Sequence, residues 1–98
     1  MLNKWNLSGA SGNFSTGGAC NDAAWHALVG AVNGASSVLS CDGAETTGTA
    51  TGNTTGGKAA AIVGGSGNLE WIEAGVLDGT PLGATARAAL IANMQARN

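Results

Sequence analysis

Bulky apolar side chains are scarce in this chain, and that scarcity limits what it can fold into. Leu, Ile, Val and Phe supply 17 of 98 residues, and three Trp complete the large apolar set. Another 17 residues are Gly, which leave the unfolded chain especially free and raise the entropy cost of ordering it. Burying so few large side chains offsets only part of that cost. A partner surface, a disulfide or self-association is therefore expected to supply the rest. At this length the chain makes one domain.

The charge pattern narrows the partners. The formal net charge is −2, and the cations are Lys4, Lys58, Arg87 and Arg97. These are too few and too scattered to track phosphates, so no nucleic-acid partner is expected. A surface of Ser, Thr, Asn, Gly and Ala lets copies pack closely without strong repulsion. The start, Met1 to Leu7, has no apolar signal-peptide core, and no stretch approaches the ~18 apolar residues of a membrane span. The expectation is synthesis in a cytoplasm, no signal peptide and no membrane partner.

Residues 1–20 read as an extended arm, with Trp5, Leu7 and Phe14 spaced by Asn, Ser and Gly. Residues 21–98 read as a single small α+β domain. Trp25, Leu28, Val29 and Val32 fall at helical spacing and predict a helix over 21–33, with Trp25 in the core. Asn21 or Asp22 would cap it, and Gly34 would end it. Residues 36–41 predict a short strand. Residues 42–58 carry no large apolar side chain and read as a hairpin or a long Gly/Thr-rich loop. Residues 59–63 predict a small strand, 64–68 a turn, and 69–77 a strand in preference to a helix. Thr80-Pro81 opens a second helix to about Gln95, with Pro in its first turn. Its apolar face is Leu90, Ile91 and Met94, and Ala88, Ala92 and Ala96 line the other side. The expected fold is two helices on a few short antiparallel strands.

Cys20 and Cys41 are the most informative pair. Cys20 precedes the expected first helix and Cys41 ends the strand after it. A helix rising ~1.5 Å per residue and a strand returning ~3.3 Å per residue would bring both sulfurs to one end, where a disulfide can form. The alternative is a pair of reduced thiols. Zinc takes about four ligands, and Cys20, Cys41 and His26 leave such a site short, so no metal is assigned. His26 stands one turn after Asp22, a solvated pair rather than a catalytic one with Cys20. Residues 52–59 resemble a phosphate-binding loop, but Ala59 stands where a hydroxyl must meet magnesium. Glu70 and Glu73, near Asp78, would point to opposite faces of a strand. No catalytic residue and no cofactor is assigned.

The stretch from Thr47 to Val63, Thr-Gly-Thr-Ala-Thr-Gly-Asn-Thr-Thr-Gly-Gly-Lys-Ala-Ala-Ala-Ile-Val, resembles the texture of small phage virion proteins of the capsid decoration, or cement, type. The resemblance implies a non-enzymatic protein, often trimeric, that clamps capsid subunits through an extended arm. It implies other capsid subunits as partners, a homo-oligomer, and the virion as the final location; a small head or tail protein fits equally. The interface residues expected are Trp5, Leu7, Phe14, Trp71, Ala88 and Ala92. Two other classes stand beside it: a surface glycan-binding module using exposed Trp5 and Trp71, and a small hydrolase using Cys20 and His26.

Overall fold

The Asp42-Gly43 turn sets the central sheet. The computed structural model describes residues 5–17, 20, 24–51 and 80–97. Hairpin β1 (Asn6–Ser8) and β2 (Asn13–Ser15) comes first, then β3 (Leu28–Ala31), β4 (Gly34–Cys41), β5 (Ala44–Ala50) and helix α1 (Ala84–Ala96). Strands β3, β4 and β5 form one antiparallel sheet with β4 in the middle. Cys41 pairs with Ala44 across the turn, where φ is 51° at Asp42 and 96° at Gly43. Two positive φ values mark a type I′ turn, whose twist matches the strands it joins. Gly adopts such angles freely, and Asp is among the few other residues that tolerate them.

The two faces of the sheet are covered differently. On one face Ala27 and Val29 are buried with Ile91 of α1, and Leu90 and Met94 pack against them. Burial alternates along this segment, with Ala27, Val29 and Ala31 inside and Leu28 and Gly30 less covered, the period of a half-buried strand. On the other face lies the β1–β2 hairpin. Leu7 pairs with Phe14, so both side chains leave the hairpin on the same side. Leu7 reaches Gly30, and Phe14 sits over Gly48. A Cβ on Gly30 would meet Leu7 at 3.0 Å, and one on Gly48 would overlap the Phe14 ring. Gly48 thus seats an aromatic ring within a Thr-rich strand.

Several expectations change. Among the described residues there is one helix, so the two-helix arrangement is overturned. Residues 28–31 of the expected first helix form β3 instead. Its helical spacing rested on Trp25, Leu28, Val29 and Val32, while the small Ala27 and Ala31 are buried core. Gly30 and the β-branched Val29 and Val32 also weaken a helix there. Trp25 is not core; it is 56% exposed. Part of the 1–20 arm is the β1–β2 hairpin, and part of the Gly/Thr loop is β5. Pro81 precedes α1, which begins at Ala84 behind a Gly83 N-cap. The expected strands and turn at 59–77 lie outside the described residues.

Ser37 secures the other end of β4. It is fully buried, accepts the Asn33 N–H at 2.8 Å and reaches the Gly34 and Ala50 carbonyls at 2.7 and 2.8 Å. The Phe14 seat makes a direct prediction. Gly48→Ala should cost about 1–3 kcal/mol in urea unfolding through overpacking. In a Phe14→Ala background the same change should cost clearly less, a coupling that reports contact. Equal costs in both backgrounds would place the ring elsewhere.

Candidate functional site

Asp42 gathers groups from the segment before β3 and from α1. Its N–H donates to the Ala27 carbonyl at 2.8 Å, and its Oδ1 accepts the Ala27 N–H at 2.9 Å. Gln95 of α1 donates to the same Oδ1 at 3.2 Å. Oδ2 lies 2.6 Å from His26 Nδ1. An ionised carboxylate can only accept, so Nδ1 carries the proton in this pair. Cys41, the preceding residue, is joined to Cys20 in a disulfide with a Cα–Cα distance of 6.5 Å. The Trp5 indole N–H donates to the Cys20 carbonyl at 2.9 Å. The Cys41 sulfur is 3.8 Å from His26 Nδ1 and 3.9 Å from Asp42 Oδ2.

A second polar clasp holds α1 to β5. Arg87 donates from Nε to Glu45 Oε2 at 2.5 Å and from Nη2 to Oε1 at 2.9 Å, with Nη1 on the Leu82 carbonyl at 2.7 Å. This fork-to-fork geometry is the strong form of such a pair. Arg87, Ile91 and Gln95 recur at helical spacing, so one face of α1 carries a clasp, a buried apolar residue and a second clasp.

These contacts move the carboxyl groups. Burial alone would raise the Asp42 carboxyl, but the Ala27 N–H, His26 and Gln95 together bring it below its ordinary 3.8. The Arg87 hydrogen bonds hold Glu45 below its ordinary 4.5 against a smaller burial effect, and Glu45 in turn raises Arg87. Both acids bind protons less readily folded than unfolded. Their stabilisation is present above the ordinary values and is lost as pH falls through the lowered folded ones.

Trp25, His26, Ala27, Asp42 and Gln95 line a shallow groove of about 360 Å³. A second groove of about 300 Å³ is lined in part by Thr16, Cys20, His26, Cys41, Asp42 and Thr46. No family model, curated protein or solved structure matches the chain.

The structure brings together some of the residues singled out in the sequence. Cys20 and Cys41 are bonded, although among the described residues no helix lies between them. Trp5, Leu7 and Phe14 are half-buried against their own chain. Ala88 and Ala92 are exposed on α1. Trp71, Asp22, Glu70, Glu73, Asp78 and the Gly52–Ala59 loop lie outside the described residues. His26 pairs with Asp42, which sequence reasoning passed over. Its signal was present: Asp-Gly directly follows the expected strand and precedes a Thr-rich run, a strong hairpin mark.

Two outcomes follow for this site. Urea unfolding free energy should fall as pH drops below about 4, and Asp42→Asn together with Glu45→Gln should flatten that fall; an unchanged slope would contradict the pairing. The disulfide, spanning a sequence separation of 21, should contribute roughly 3 kcal/mol. Cys20→Ser with Cys41→Ser should lower the unfolding free energy by about that amount.

Proposed function

We propose that this chain is a non-enzymatic structural or assembly protein, most concretely a phage virion component such as a capsid decoration protein or a small head or tail protein. The observation that carries this reading is the apolar surface left in solvent. Trp25 stands 56% exposed, and the exposed side of α1 presents Ala88 and Ala92. Trp is enriched at interface hot spots, and the sparse, weakly charged surface permits close approach of other subunits. The disulfide supports the same reading, because a bonded Cys20 and Cys41 leave His26 and Asp42 without a thiolate to activate.

Trp25 beside His26, Asp42 and Gln95 also favours a second reading, a glycan-binding module in which the indole stacks on a sugar ring. Its platform would be Trp25, since Trp5 is tied to Cys20 by its indole N–H.

Native mass spectrometry and light scattering separate these readings. Assembly predicts a homo-oligomer, or added mass on phage heads or tails, that Trp25→Asp abolishes while far-UV circular dichroism is retained. A stable monomer that leaves such particles unchanged, with Trp fluorescence responding to a glycan, would favour the second reading and contradict the first.

A further inference from the structure

We propose that the dithiol form of this protein binds a zinc-like divalent cation through Cys20 Sγ, Cys41 Sγ, His26 Nδ1 and Asp42 Oδ2. This inference stands apart from the assembly reading and does not depend on it. The sequence offers Cys20, Cys41 and His26, one ligand short of a closed site. The fold supplies the fourth by setting Asp42 next to Cys41 on the type I′ turn.

The placement suits such a site. Candidate ligand atoms of Cys20, His26 and Cys41 all lie within 4.8 Å of one another. Zn–S bonds of ~2.3 Å and Zn–N bonds of ~2.0–2.1 Å put tetrahedral S and N ligands roughly 3.5 Å apart. Cys41 Sγ already stands 3.8 Å from His26 Nδ1 and 3.9 Å from Asp42 Oδ2. Two thiolates and an imidazole with a carboxylate form a donor set of the kind that zinc takes.

The supporting shell is also present. Asp42 Oδ1 is occupied by the Ala27 N–H and by Gln95, which turns Oδ2 toward His26 and Cys41. Carboxylate ligands in metal sites are held in this way. Trp5 fixes the Cys20 backbone through its carbonyl. The groove lined by Cys20, His26, Cys41 and Asp42 gives an entry path.

The chemistry balances. A phosphine or dithiol reductant supplies two electrons to the Cys20–Cys41 bond and is itself oxidised. Two protons complete two thiols. On metal binding both thiol protons pass to water, and the imidazole carries its proton on Nε2, leaving the Nδ1 lone pair for the ion. Disulfide formation and metal binding are therefore mutually exclusive states of the same two sulfurs.

Co2+ is the probe, added to the whole chain reduced with a phosphine and, separately, to the disulfide form. The reduced protein should bind one Co2+ per chain with a thiolate charge-transfer band and tetrahedral d–d bands, and Zn2+ should displace it. The disulfide form should show neither band. His26→Ala and Asp42→Ala should each weaken binding roughly tenfold or more, and Cys20→Ser should diminish the charge-transfer band. If reduction unfolds the chain, Zn2+ should restore the far-UV spectrum of the disulfide form. An octahedral spectrum, an affinity unchanged by His26→Ala, or a reduced chain that stays unfolded with Zn2+ would overturn the proposal.

Discussion

The carboxylate of Asp42 is the contact on which the rest of the described structure depends. It accepts the Ala27 N–H just before β3, while its own amide donates to the Ala27 carbonyl. This reciprocal pair fixes where β3 enters the sheet beside β4. The same oxygen receives Gln95 and so positions the last turns of α1. The other oxygen orients His26. Because Cys41 is the next residue back, the covalent link to Cys20 starts from the same turn. One residue in a backbone conformation few side chains accept thus ties helix, sheet and the segment around Cys20 together.

Small side chains do what large ones do in richer cores. Ala27, Ala31 and Ala50 are buried, and Gly30 and Gly48 make room for Leu7 and Phe14. The sheet can be covered on both faces because its own residues take little volume. Each covering element then needs only a few large groups: Leu7 and Phe14 on one side, Ile91 with Leu90 and Met94 on the other. Ser37, buried and bonded to three backbone groups, extends the same economy to polar groups. A chain poor in bulky residues is stabilised here by close backbone approach, by hydrogen bonds and by one cross-link.

Part of this was visible in the residues, and the remainder was hidden for physical reasons. Strand β4 and helix α1 were legible because Val38-Leu39 is a compact apolar pair and Leu90, Ile91 and Met94 form a clear stripe. The helix expected over 21–33 failed where it counted only large residues. With Ala included, positions 27, 29 and 31 alternate, and the period is that of a strand. The arm read as extended and the Gly/Thr tract as a hairpin or a loop, and their packing was hidden because Phe14 sits over Gly48 and neither residue signals the other in sequence. Asp42 was overlooked because its partners at 26, 27 and 95 meet it only in the folded chain, although the Asp-Gly dipeptide marked the turn.

The proposed assembly role draws on what this economical scaffold leaves outside. An exposed Trp25 and the Ala residues on the outer side of α1 are held on a frame tied by the disulfide and the Asp42 node, an arrangement suited to meeting another surface. The central claim is that the Asp42 node holds the frame together, and amide hydrogen exchange tests it most directly. The Ala27 and Asp42 amides should exchange only through global unfolding, at the rate of the slowest β4 amides. Exchange at the rate of a solvent-exposed turn, with β4 still protected, would contradict it.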